Sequence, residues 1–174
     1  MGEDKHHADY ANYKSGLSKE EVLESVVESY KALSSDTDNW VANLSNCSSL
    51  IWHGYHSLKI PVNWSGFYVL LNERELILGP FQGKVACQLI KFGKGVCGTA
   101  ASSQETQLVP DVERYPGHIA CDGDTKSEIV VPLIKDGKTI GVLDIDCLAT
   151  GGFDETDKKY LEQLADLIIS TCTF

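Results

Sequence analysis

Ser-Glu-Ile-Val-Val-Pro-Leu-Ile-Lys-Asp-Gly-Lys-Thr-Ile-Gly-Val-Leu-Asp-Ile-Asp, residues 127–146, decides the fold of this chain. Lys135-Asp136-Gly137-Lys138 divides it into two apolar runs, and Asp-Gly is a strong signal for a tight β-hairpin turn. Period two puts Glu128 and Val130 on one face of the first strand, and Val142, Asp144 and Asp146 on one face of the second. Leu143 and Ile145 point the other way, so the acids are confined to one side of the sheet. A carboxylate removed from water must be paired or must hold its proton. Acids where a covered strand wants valine therefore mark a candidate site; the alternative is a solvated outer face, common in antiparallel sheets.

Upstream of the hairpin, Thr106–Val109 reads as a short strand and Pro110–Gly123 as a loop holding Pro116, Gly117, His118 and Cys121. Loops of that length in a compact domain are functional lids or disordered. The acidic context Cys-Asp-Gly-Asp raises the pKa of the Cys121 thiol, while His118 and Lys126 lower it, and the sequence leaves that balance open. Gly93–Ala101 reads as a tight turn into a short helix. Free N–H groups at a helix start favour a thiolate, which makes Cys97 a candidate reactive cysteine; a buried thiol at a crowded turn is the alternative. Residues 84–92 alternate weakly, as a third strand carrying Cys87 would.

Residues 63–71 form a strand with Trp64, Gly66 and Tyr68 on one face and Phe67, Val69 and Leu71 on the other. Glu75–Leu78 completes a hairpin that Gly79-Pro80 ends. Two helices come first. Ser18 and Glu21 form a capping box ahead of Leu23, Val26, Val27, Tyr30 and Leu33, and Trp40, Leu44, Cys47, Ile51 and Tyr55 make a second stripe. A last helix follows Asp154, with Leu161, Leu164, Ala165, Ile168 and Cys172 along one face. Cys47 and Cys147 read as packing residues. Residues 1–17, polar and aperiodic, are expected to be a flexible arm, and 18–174 one domain. The order is α+β, with a central antiparallel sheet and the N-terminal and C-terminal helices packed on one face.

Composition narrows the partners. The 174 residues are 43% hydrophobic, enough for one core, and the formal net charge of -10 disfavours nucleic acid and anionic membranes. No apolar run has signal-peptide or membrane-spanning length, so a cytoplasmic protein with a small-molecule or protein partner is expected. Six cysteines without a Cys-x-x-Cys pair read as thiols in a reducing compartment. A zinc set of Cys87, Cys97, His118 and Cys121 lacks the paired spacing of structural sites, so no metal is expected.

Five stretches carry a resemblance: Asn-Trp-Ser-Gly-Phe-Tyr at 63–68, Gly-Pro-Phe-Gln-Gly at 79–83, Gly-Lys-Gly-Val-Cys-Gly-Thr-Ala at 93–100, His-Ile-Ala-Cys-Asp at 118–122 and Gly-Val-Leu-Asp-Ile-Asp at 141–146. Together with the element order, which is that of GAF domains, they resemble the free methionine-(R)-sulfoxide reductases over nearly everything after residue 18. The resemblance implies a GAF-like oxidoreductase without a bound cofactor, in which Cys121 attacks the sulfoxide sulfur, releases methionine and becomes a sulfenic acid. Cys97 or Cys87 then resolves it as a disulfide, and a thioredoxin-like donor reduces that disulfide. Attack by Cys97 stays open beside this. One of Glu128, Asp144 and Asp146 would donate a proton to the sulfoxide oxygen while the others hold the substrate ammonium, and Trp64 and Tyr68 would enclose the methyl group. The resemblance also implies a homodimer. Two other classes fit parts of the pattern: a regulatory GAF domain that binds a small ligand, and a thiol peroxidase or redox sensor that needs the cysteines and not the acids.

Overall fold

The computed structural model describes residues 6–174. Helix α1 (Lys19–Leu33) begins at the expected capping box: Ser18 Oγ accepts from the Glu21 amide at 3.2 Å, and Glu21 Oε2 accepts from the Ser18 amide at 2.7 Å. Asn39 caps α2 (Trp40–Ser57) by accepting from the amides of Val41 and Ala42. The Asp154–Asp157 capping box starts α4 (Glu155–Thr171). Between α2 and α4 lie β1 (Val62–Asn72), β2 (Glu75–Gly83), β3 (Leu89–Lys91), α3 (Gly95–Ser103), β4 (Gln107–Val109), β5 (Ser127–Lys135) and β6 (Lys138–Cys147). The strands form one antiparallel sheet in the order β3-β2-β1-β6-β5-β4.

The hairpin that decides the fold closes as its turn chemistry requires. Asp136 and Gly137 both take positive φ, 51° and 75°, which matches the twist of the flanking strands. The register then carries period two across the sheet. Phe67, Val69, Ile129, Val131, Leu133, Leu143 and Ile145 face α1, α2 and α4 in one core. Leu143 is wholly buried there, and burying a side chain of that size stabilises the fold by about 1.5–3 kcal/mol. Trp64, Tyr68, Val130 and Val142 point to the opposite side, where α3 packs on β5 and β6.

Three local expectations are corrected. β2 runs past Gly79-Pro80 to Gly83, because those two residues bulge opposite the single residue Phe67 and so relieve the missing proline N–H. Cys87 is not on a strand. β3 pairs only with Glu75–Ile77, and extending that pairing would run it into the bulge at Gly79-Pro80. Residues 84–88 therefore leave as a loop with Val85 89% exposed. From His6 onward the expected arm lies along α2: His7–Ala11 is a short 3-10 turn, and Tyr13 donates to the Leu50 carbonyl at 3.0 Å. Tyr10 and Tyr13 bury aromatic surface without any period to announce it. Residues 1–5 of that arm lie outside the described residues. Among the described residues, no helix is long and apolar enough to cross a membrane.

Candidate active site

Register builds the floor of the site. Trp64 on β1 pairs with Asp146 on β6, Asp146 with Glu128 on β5, and Glu128 with Val109 on β4, one row across four strands. In the next row Gly66, Asp144 and Val130 stand side by side. Trp64 stacks on Tyr68 with ring centroids 5.7 Å apart, and Phe81 stacks on Trp64 at 5.1 Å. Only glycine fits at position 66, since a Cβ there would collide with Phe81 and lie 2.8 Å from the Pro80 carbonyl oxygen.

Two loops and a helix close the site from above. α3 carries Cys97 as its third residue, and the long loop after β4 returns over the sheet as a lid. Ile119 of that lid rests on the start of α3, where a Cβ added to Gly95 would be 3.4 Å from the Ile119 side chain. Asn63 on β1 ties down the lid's far end, donating to Asp122 Oδ2 at 3.2 Å and to Thr125 Oγ1 at 3.0 Å. Cys121 of the lid and Cys87 of the 84–88 loop are joined in a disulfide, with their Cα atoms 5.7 Å apart. Beneath lies a cavity of about 440 Å³ lined by Trp64, Tyr68, Cys87, Cys97, Cys121, Glu128, Asp144 and Asp146. All eight residues singled out in the sequence meet there, from three strands, a helix and two loops.

The electrostatics follow from burial. Glu128 and Asp144 are 6% and 5% exposed and Asp146 is half-buried; desolvation and the neighbouring acids push all three carboxyls above the usual carboxylate range. Asp144 Oδ1 is buried without a hydrogen-bond partner. Cys97 follows the second of its two sequence readings, the buried thiol. Its position at the helix start favours a thiolate, but its Sγ is buried 4.0 Å from Glu128 Oε1, and desolvation together with Asp144 and Glu128 pushes the thiol up. Burial and like charge outweigh the few tenths to 1 kcal/mol that a helix end supplies. Cys121, by contrast, is exposed at the cavity mouth.

His118 was legible in the sequence as an influence on Cys121 and as a member of the zinc set, not as a neighbour of the acids. In the fold its Nε2 lies 3.5 Å from Glu128 Oε2, and its side chain is 14% exposed. The His-Ile-Ala-Cys-Asp run contained that signal. The zinc set considered from sequence loses two ligands in this form, because joined sulfurs cannot act as thiolates. Cys97 Sγ and one oxygen each of Glu128 and Asp144 do lie within 4.8 Å of one another. That spacing suits carboxyl groups packed with their protons against a thiol, and no ligand role is assigned to them.

A sequence profile for the GAF domain matches residues 56–170. The chain is 66% identical to a free methionine-R-sulfoxide reductase from Saccharomyces cerevisiae, over 97% of this chain and 96% of the relative. It is 43% identical to a protein of the same description from Escherichia coli, over 85% of this chain and 87% of that one. The fold superimposes with a TM-score of 0.85 on the X-ray structure of a free methionine-R-sulfoxide reductase from Neisseria meningitidis in complex with its substrate, at 40% identity, covering 93% of this chain and 95% of that one. Fold and profile thus define a GAF domain, one that here carries a disulfide above a floor of buried acids. The chain belongs to the free methionine-R-sulfoxide reductase family.

Proposed function

We propose that the protein reduces the R epimer of free L-methionine sulfoxide to L-methionine. The observation that carries this reading is a Cys87–Cys121 disulfide at the mouth of a cavity floored by Glu128, Asp144 and Asp146. Cys121 attacks the sulfoxide sulfur as a thiolate and forms a sulfur–sulfur bond; a carboxyl proton goes to the oxygen, which passes as hydroxyl to the Cys121 sulfur as the sulfur–oxygen and sulfur–sulfur bonds break, so that methionine leaves and Cys121 is left as a sulfenic acid. Cys87 then displaces water to form the disulfide. The exposure of Cys121 and the bond to Cys87 support these roles over attack by Cys97, whose thiol burial pushes up.

Glu128, which touches both a thiol and an imidazole, is the proton donor on this reading. Asp144, with an unpartnered oxygen, and Asp146 take the substrate ammonium, which lowers their pKa in the complex. Peptide-bound methionine sulfoxide has no such ammonium and would leave those acids unpaired, hence selectivity for the free amino acid. Trp64 and Tyr68 enclose the methyl group against their ring faces. A thioredoxin-like dithiol returns the disulfide to thiols. We extend the proposal, on family likeness, to a homodimer, and to the cytoplasm, where the free thiols of Cys47, Cys97, Cys147 and Cys172 persist.

The test is to incubate the purified, reduced protein with dithiothreitol and each epimer of free and of N-acetylated methionine sulfoxide, and to measure the methionine formed. Turnover of the free R epimer alone is expected. Absence of turnover by folded, reduced protein sinks the proposal.

A further inference from the structure

On the reading above, Glu128 delivers a proton in every turnover, yet its side chain is only 8% exposed. It must be reloaded. Its two oxygens have different neighbours: Oε1 faces Cys97 Sγ at 4.0 Å, and Oε2 faces His118 Nε2 at 3.5 Å. Cys97 is a poor supplier, because the same burial and the same acids hold its proton tightly. Asp144, the third buried group of the cluster, is occupied with the ammonium on this reading.

His118 has the opposite surroundings. It stands on the lid three residues before Cys121, between exposed Gly117 and Ile119, and its ring reaches down from that exposed segment to the buried acid. The chemistry asks for such a link. Thiol plus sulfoxide gives sulfenic acid plus sulfide with no net proton, so the proton that leaves Cys121 as it becomes a thiolate equals the one that Glu128 delivers to the oxygen. The thiol loses its proton at the lid, and the oxygen receives its proton at the floor.

We infer that His118 is the relay residue between them, accepting the proton at the lid and passing one from Nε2 to Glu128 Oε2 to reload the acid. Nothing is oxidised or reduced in this step: an N–H bond breaks, an O–H bond forms, and the ring regains its proton at its other nitrogen. A neutral imidazole has one donor and one acceptor nitrogen and so suits the task, and desolvation lowers the His118 pKa, favouring that neutral form. The separation of 3.5 Å is longer than a hydrogen bond, and a small closure of the lid would bring the two atoms into bonding range, as is common when a substrate seats.

The inference rests on the reductase reading, and the experiment separates the two. Steady-state methionine formation from the free R epimer is measured with saturating dithiothreitol for wild type, His118→Ala and His118→Gln, with and without added imidazoles of graded pKa. Wild type that makes no methionine overturns the parent reading, not the relay. With wild type active, the relay predicts a loss of about 10²-fold in both variants. It also predicts that imidazole restores turnover in His118→Ala, where the ring has left space, with a rate that depends on the imidazole's pKa. A ring that only packs the lid gives a loss that no imidazole repairs, and a hydrogen-bonding role is met by glutamine. Unimpaired turnover in either variant, or failure of rescue, overturns the relay.

Discussion

Two buried aspartates of this chain lie on opposite sides of one sheet and have opposite fates. Asp157, fully buried in the helical layer, receives Lys19 Nζ at 2.7 Å, the Tyr55 hydroxyl at 2.6 Å and the amide of Asp154 at 2.7 Å. Asp144, facing the cavity, keeps one oxygen with no partner at all. The cysteines divide the same way: Cys47, Cys147 and Cys172 are sealed in or beside the helical core, while Cys87, Cys97 and Cys121 line the cavity. On one face polar groups are matched and stabilise the fold. On the other, one carboxylate oxygen is left unmatched, which costs stability and leaves it open to a ligand.

Breaking that contrast begins at the thiols. Cys121→Ser is expected to yield no methionine in a single-turnover assay without recycling reductant, whereas Cys87→Ser, which retains the attacking thiol, yields about one equivalent. One equivalent from Cys121→Ser would reassign the attacker.

Next in size is the matched aspartate. Asp157→Ala leaves the Tyr55 hydroxyl without its acceptor, leaves Lys19 only its longer contact with Asp154 and removes a capping box, and is expected to cost about 3 kcal/mol in urea unfolding with the cavity chemistry retained in the folded fraction. A neutral result would mean that the pairing only offsets the burial of the charge.

The smallest effect has the opposite sign. Burial raises the Asp144 pKa above its ordinary 3.8, so its favourable contribution is present below that value and is lost as pH rises through the raised one. Asp144→Asn is therefore expected to match wild type in stability near pH 3 and to exceed it at pH 7, while losing substrate binding. Unfolding curves at the two pH values check the sign; a variant less stable than wild type at pH 7 would show that the carboxylate has a partner in solution.

Period two and the Asp-Gly turn made the sheet legible, including which side carried the acids, because alternation is a local property of extended backbone. Capping boxes at Ser18 and Asp154 located helices for the same reason. Cys87 was misplaced on a strand because the bulge at Gly79-Pro80 that stops β3 depends on pairing with β1. The Cys97 thiol stayed open between two readings because helix-start N–H groups are visible locally, while the carboxyls opposing them come from residues 128 and 144. Phe81 against Trp64 and His118 against Glu128 were missed on the same ground: each contact joins elements far apart in the chain.

By itself, then, the sequence determined the strands, helices and turns, the one-sided placement of Glu128, Asp144 and Asp146, and the choice of residues able to do thiol and proton chemistry. Tertiary structure alone decided which cysteines meet, which acids lose their water and which histidine reaches them. Propensity and periodicity act over a few residues, whereas desolvation, charge coupling and sulfur–sulfur contact depend on distances that exist only once the strands, α3 and the two loops have closed on one another.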